Sequence, residues 1–144
     1  MSSFDLSSQK PLVIAGPCLA ESWQILDRVA QELAPLADEL GMQWVFKASF
    51  DKANRSSVSS PRGPGIKQCL EWLAKIKSQY ACPILTDVHE TSQVEEVAQV
   101  ADIIQIPAFL CRQTDLVIAA AQTGRWVNIK KGQFLAPTNA AQVA

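Results

Sequence analysis

The sequence has a single histidine and no pair of cysteines at C-x-x-C spacing, although it contains four cysteines. Cys18, Cys69, Cys82 and Cys111 lie far apart, which argues against a zinc ribbon or a secreted disulfide framework. A cysteine with a function in this chain is therefore expected to act as a lone thiol or as one metal ligand.

Long apolar runs and blocks of like charge are also missing. No apolar stretch reaches the length of a membrane span, and the polar first ten residues lack the apolar core of a signal peptide. The 13 basic and 14 acidic residues are interspersed and give a net charge of −1, so there is no basic surface for nucleic acid. We expect a cytoplasmic protein without nucleic-acid or membrane partners.

The chain instead alternates short apolar runs with amphipathic segments. Helices are predicted from Ser22, as N-cap, to Gly41, with a kink or break at Pro35, and over 65–80, 91–100 and 114–123. Strands are predicted at 12–15, 44–46, 84–88, 103–106 and 126–129. This βαβ alternation predicts an α/β fold with a parallel sheet covered by helices.

Every second position of each predicted strand, counted on into the residues just after it, holds a polar or reactive residue near the end of the strand, whereas the intervening positions are mostly apolar. We call this alternate set of positions the polar parity. An open sheet binds its ligand at one switch point, but a (β/α)₈ barrel draws site residues from the ends of many strands. The pattern therefore favours a barrel. The residues on the polar parity are Gly16, Cys18, Lys47, Ser49, Asp87, His89, Gln105, Asn128 and Lys130.

The length of 144 residues is short for such a barrel, which typically needs about 250. About five strands and four helices fit into the chain, and residues 137–139 are expected to begin a fifth helix. We therefore interpret residues 1–11 as a polar N-terminal segment and residues 12–144 as the first half of a (β/α)₈ barrel, incomplete at the C-terminus.

The loop after the second strand is rich in groups that bind anions. Residues 46–57, FKASFDKANRSS, hold three cations, an amide and three hydroxyls. Lysine supplies a point charge, arginine a planar fork for two oxyanion oxygens, and serine a neutral donor. A sugar phosphate or phosphorylated acid is therefore the ligand class that the loop predicts.

Six segments together resemble the 3-deoxy-D-manno-octulosonate 8-phosphate synthases, which condense phosphoenolpyruvate with arabinose 5-phosphate. The resemblance covers essentially residues 12–139. The segments are IAGPC (14–18) with Glu21 and Ser22, FKASFDKANRSS (46–57), RGPG (62–65), TDVHE (86–90), IIQIPAFLCRQTD (103–115) and VNIKKGQF (127–134).

The resemblance implies roles for individual residues. Phosphoenolpyruvate would be held by Lys47, Ser49, Lys52, Gln105 and Lys130. The pentose phosphate would be held by Asn54, Arg55 and Ser56, of which Arg55 and Ser56 reach the substrate of an adjacent subunit in a homotetramer. His89, Asp87 and Lys52 are the candidate catalytic residues, with Asp87 interpreted as an orienter of cations rather than a base. Arg62 and Lys131 remain open between site residues and solvated charges.

Cys18 stands where the metal-dependent branch of this family has a ligand and the other branch has Asn. A thiolate suits zinc, iron(II) or another borderline metal rather than magnesium. Zinc, iron(II) or manganese is expected in the complete enzyme. The resemblance implies that the other ligands, a His, a Glu and an Asp, lie in the second half of the barrel.

Two alternatives stay open. One is a heptulosonate 7-phosphate synthase that uses erythrose 4-phosphate, since those enzymes share the barrel and an early Gly-Pro-Cys. The other is a chain without activity, either a truncated remnant or one half of a split barrel. Even if the parent protein is an enzyme, the 144 residues alone are expected to be inactive.

Overall fold

The computed structural model of the protein describes residues 5, 7–53, 57 and 59–143. Within them the structure has five strands, five α-helices and two 3₁₀ helices, Thr91–Gln93 and Ala108–Leu110. The strands and α-helices are β1 (Leu12–Ala15), α1 (Trp23–Glu39), β2 (Gln43–Lys47), α2 (Ile66–Tyr80), β3 (Ile84–Asp87), α3 (Val94–Ala98), β4 (Ile103–Ile106), α4 (Thr114–Gln122), β5 (Trp126–Ile129) and α5 (Pro137–Ala140).

The strands form a sheet in the sequential order β1-β2-β3-β4-β5, with a helix after each strand. The pairs β1/β2, β2/β3 and β4/β5 are parallel. Five parallel strands with alternating helices are the N-terminal half of a (β/α)₈ barrel, as predicted. The chain divides into two compact units, residues 1–85 and 86–144.

In the first unit, α1 begins where the sequence predicts it. Ser22 Oγ accepts a hydrogen bond from the backbone N–H of Ile25, at 3.3 Å. The helix then runs through Pro35 to Glu39, so the break allowed for at Pro35 does not occur. Pro35 is exposed, and water can therefore hydrate the carbonyl that its missing N–H leaves without a helical partner.

Helices α1 and α2 are joined by polar contacts as well as by apolar packing. The Tyr80 hydroxyl donates to Asp27 Oδ1 at 2.6 Å, and the Lys75 ammonium lies 3.8 Å from the centre of the Trp23 ring. Between these contacts, Leu26, Leu73 and Ile76 are fully buried. This packing fixes the two helices that flank β2.

In the second unit, the helix predicted over 91–100 is shorter and begins differently. It starts as the 3₁₀ helix Thr91–Gln93 and continues as α3, with a capping box between Glu90 and Gln93. Gln93 Oε1 also accepts from the backbone N–H of His89 at 2.8 Å. These bonds hold the chain that leaves β3.

No helix in the described part of the chain is long and apolar enough to cross a membrane.

Candidate functional site

The candidate site of the first unit is built on a close approach between the ends of β1 and β2. A Cβ atom at Gly16 would lie 2.2 Å from the backbone oxygen of Lys47. Any side chain at this position would therefore push the end of β1 away from β2. The glycine of the Gly-Pro-Cys segment is thus required by packing, quite apart from chemistry.

Beyond this contact, the two strands continue as extended backbone. Ser49 forms an isolated parallel bridge with Leu19, and its carbonyl accepts from the N–H of Ala20 at 3.0 Å. Its own N–H donates to the carbonyl of Cys18 at 3.4 Å. These bonds place the backbone of Cys18 beside that of Ser49, as the strand-end parity predicts.

Two ammonium groups converge on the buried Ser49 hydroxyl. Lys47 Nζ lies 2.9 Å and Lys52 Nζ 2.8 Å from Ser49 Oγ, and Ser49 is 0% exposed. The two ammonium groups are therefore less than about 6 Å apart, a distance at which like charges repel each other. An anion that contacts both ammonium groups would relieve this repulsion. We call Lys47, Ser49 and Lys52 the lysine cluster.

The loop that carries Lys52 is anchored by Arg62. The Arg62 guanidinium donates to both carboxylate oxygens of Asp51, from Nε to Oδ1 at 2.9 Å and from a terminal nitrogen to Oδ2. The Lys52 N–H donates to the Arg62 carbonyl at 2.8 Å. The hydrogen bonds and charge of Asp51 raise the pKa of Arg62 above its usual value. Arg62, left open by the sequence, is thus engaged in an ion pair.

A second close approach holds the same loop. Gly63 has a φ of +132°, and a Cβ there would lie 2.2 Å from the Phe50 carbonyl oxygen. Only glycine meets both requirements. The candidate pentose phosphate residues Asn54, Arg55 and Ser56 lie outside the described residues, so their roles stay predictions.

Cys18 differs from the other cysteines in its exposure. It is exposed, whereas Cys69, Cys82 and Cys111 are buried, and none of the four, all within the described residues, forms a disulfide. Burial raises the pKa of the Cys69 thiol to about 12, which leaves it protonated at neutral pH. Among the described residues, no group of three or more His, Cys, Asp or Glu side chains could hold a metal ion.

The second unit contains a row of hydrogen-bonded side chains from three successive strands, Asp87 of β3, Gln105 of β4 and Asn128 of β5. Gln105 Nε2 donates to Asp87 Oδ1, and Asn128 Nδ2 donates to Gln105 Oε1 at 2.8 Å. Gln105 is 8% and Asp87 7% exposed. We call these three residues the amide ladder. The interpretation of Asp87 as an orienter of cations stays a prediction, since the partner shown here is the Gln105 amide.

The other candidates of this unit follow β3 and β5. His89 is half-buried, with its backbone held by Gln93, and the Lys130 N–H donates to the Ile106 carbonyl at 3.0 Å. The Lys130 side chain is exposed. Lys131, also left open by the sequence, donates to the carbonyls of Gly132 and Leu135 at 2.9 and 3.0 Å. The Lys131 side chain therefore stabilises the loop that follows β5.

The sequence did not reveal two features of these clusters. Asp51 was not singled out, although its pair with Arg62 anchors the lysine loop. Asn128 was placed on the polar parity but given no role, although it completes the amide ladder. The signal in the sequence was that Gln105 and Asn128 are each the third residue of their predicted strands, and the structure pairs them in register. Nothing in the local sequence linked Asp51 to a residue 11 positions away.

The sequence of the chain is similar to those of known proteins over most of its length. The family model described as the DAHP synthetase I family matches residues 7–144. A protein of Fusobacterium nucleatum is 61% identical over 126 residues, which are 88% of this chain and 45% of that protein. Proteins of Wolinella succinogenes and Helicobacter pylori are 55% and 54% identical, over 89% and 95% of this chain and 49% and 50% of their own lengths.

All three relatives bear the name 2-dehydro-3-deoxyphosphooctonate aldolase. The chain spans about half the length of each of them. The family match covers both compact units and nearly every residue that the sequence analysis singled out. The chain therefore belongs to the DAHP synthetase I family.

Proposed function

We propose that this chain is the first half of a 3-deoxy-D-manno-octulosonate 8-phosphate synthase. The observation that carries the proposal is the lysine cluster, since two ammonium groups on one buried hydroxyl form a receptor for a polyanion. The names of the relatives point to the octulosonate branch of the family. The KANRSS loop supports the same branch through the resemblance described above.

In the proposed reaction, carbon 3 of phosphoenolpyruvate forms a bond to the aldehyde carbon of arabinose 5-phosphate. Water adds to carbon 2 and inorganic phosphate leaves. The lysine cluster would bind anionic groups of phosphoenolpyruvate, and Lys130 and Gln105 would contribute a further cation and an amide donor. By holding both reactants in contact, such residues would lower the barrier to the reaction. Asp87 and His89 would orient groups around the reacting aldehyde or water.

Cys18 would supply one thiolate to zinc, iron(II) or manganese. Its exposure and its place beside the Ser49 backbone fit this role, and the remaining ligands would come from the rest of the parent enzyme. When bound, the metal would position the aldehyde or the water. The proposal includes a homotetramer, to which Arg55 and Ser56 contribute across subunits, and a cytoplasmic role in making lipopolysaccharide sugar.

The second candidate is a heptulosonate 7-phosphate synthase, which the family description favours. We define the completed enzyme as this chain fused, in alignment register, to the remaining C-terminal part of the Fusobacterium nucleatum relative. With phosphoenolpyruvate, the proposal predicts phosphate release with arabinose 5-phosphate at a kcat/KM at least about 100-fold above that with erythrose 4-phosphate. A folded completed enzyme that prefers erythrose 4-phosphate, or uses neither aldose, contradicts the proposal.

A substitution in this chain separates its contribution from that of the fused part. Arg55→Ala is expected to raise KM for arabinose 5-phosphate about 10- to 150-fold, because a charge-assisted bond to phosphate contributes about 1.5–3 kcal/mol. KM for phosphoenolpyruvate should change less. The control is Arg28→Ala on the exposed side of α1. Equal effects of Arg55→Ala on both substrates, or none, would remove Arg55 from the pentose phosphate site.

A further inference from the structure

The hydrogen bonds of the amide ladder all run in one direction, from Asn128 to Gln105 and from Gln105 to Asp87. The NH₂ group of Gln105 faces Asp87 and its oxygen faces β5, since an amide NH₂ group donates and an amide oxygen accepts. On that side the Asn128 NH₂ group donates to Gln105 Oε1 at 2.8 Å. Reversing the Gln105 amide would bring oxygen against carboxylate at one end and NH₂ against NH₂ at the other.

Burial and strand register make the reversed orientation of the Gln105 amide costly. Gln105 and Asp87 are almost fully buried, and an unpaired polar group in such a place is costly. The backbone keeps the three side chains in line, because Gln105 is in register with Asn128 and its carbonyl accepts from the N–H of Val88 at 3.1 Å. The amide therefore has one well-determined orientation.

From this arrangement we propose that Asn128 is a positioning residue, which acts together with Asp87 to orient the Gln105 amide so that its second Nε2 hydrogen is directed at phosphoenolpyruvate. The inference rests on the proposed function for the identity of that ligand. Asp87 occupies one Nε2 hydrogen, and the other can donate to a carboxylate or phosphate oxygen. Asn128 acts through Gln105 and need not touch the substrate.

Two substitutions at one position distinguish orientation from packing. Asn128→Ala removes a donor but leaves Asp87 to set the amide, so KM for phosphoenolpyruvate should rise about 3-fold or less. Asn128→Asp places a carboxylate against Gln105 Oε1 and opposes the native orientation. In the completed enzyme it should raise KM for phosphoenolpyruvate at least about 10-fold, with KM for arabinose 5-phosphate within about 2-fold of wild type.

A second readout does not depend on turnover. Phosphoenolpyruvate alone should raise the Tm of the wild-type completed enzyme and of Asn128→Ala, and this shift should be lost in Asn128→Asp. Asn139→Asp on exposed α5 is the matched control for the added charge and should keep both values.

The outcomes are separable from those of the proposed function. A folded wild-type protein without turnover contradicts the proposed function, while the Tm shift still tests the ladder. If Asn128→Ala and Asn128→Asp lower Tm alike and change both KM values together, Asn128 is a packing residue and the inference is wrong. The inference is also wrong if Asn128→Asp keeps the Tm shift with phosphoenolpyruvate.

Discussion

Replacing Lys52 with methionine should lower the kcat/KM of the completed enzyme for phosphoenolpyruvate by about 10- to 150-fold. Methionine keeps the apolar stem of the side chain but removes the ammonium group that lies 2.8 Å from Ser49 Oγ. A hydrogen bond to a charged group contributes about 1.5–3 kcal/mol, which gives this range. Steady-state phosphate release at varied phosphoenolpyruvate measures the effect.

The matched control is Lys67→Met, which removes the same charge from the exposed surface of α2. It should leave kcat/KM unchanged, because charges separated from the ligand by solvent are largely screened. Lys52→Met should also retain the Tm of the parent, since it relieves repulsion with Lys47. A Lys52→Met protein with wild-type kcat/KM for phosphoenolpyruvate contradicts the assignment of the lysine cluster.

Removal of metal should have the second large effect. Exhaustive chelation is expected to abolish turnover of the completed enzyme, and zinc, iron(II) or manganese should restore it. Cys18→Asn should weaken metal binding by at least about 10-fold, the lower limit for losing even an outer partner of a metal site. Bound metal per subunit after dialysis, and the thiolate-to-cobalt absorption band after cobalt substitution, report binding independently of activity.

Cys69→Ala provides the control for this experiment. Burial holds the pKa of that thiol at about 12, so it supplies no thiolate at neutral pH and its removal should leave the cobalt band unchanged. Because Asn occupies this position in the metal-independent branch, Cys18→Asn should retain a small chelator-resistant turnover. Full activity of the parent after exhaustive chelation excludes the ligand role of Cys18.

The fold was predictable wherever local signals and burial agreed. The five strands and the Ser22 cap follow from apolar runs and from a serine before an amphipathic segment. The break allowed for at Pro35 does not occur, because an exposed position in α1 tolerates the missing N–H. The segment 91–100 was predicted as one helix, whereas it begins with a 3₁₀ turn that carries the capping box of Glu90 and Gln93, and α3 ends at Ala98.

The candidate site was predictable in its residue types but not in its contacts. Strand-end parity identified Lys47, Ser49, Asp87 and Gln105, because parallel strands present alternate side chains at one edge. The sharing of the Ser49 hydroxyl by two lysines depends on how the loop after β2 turns back. That turn is set by the pair of Asp51 with Arg62 and by the close packing at Gly63, which are tertiary contacts without a local sequence signal.

The strands at either end of the sequential order leave apolar side chains exposed. In β1, Leu12 is 39% and Ile14 42% exposed, and in β5 Trp126 is 50% exposed. Strand edges with exposed apolar side chains favour association with other chains. In a closed barrel each of these strands would gain a neighbour. The exposed residues are therefore consistent with the chain's share of about half of its relatives' length.

Mixing two purified polypeptides tests the proposal that residues 1–144 are one half of an octulosonate phosphate synthase. Phosphate release from phosphoenolpyruvate and arabinose 5-phosphate is measured for this chain alone, for the C-terminal part of the Fusobacterium nucleatum relative alone, and for the two together, with light scattering on each sample. We expect this chain alone to associate and to be inactive, and turnover to appear when the second polypeptide is added. A monodisperse monomer of residues 1–144 with measurable turnover would contradict it.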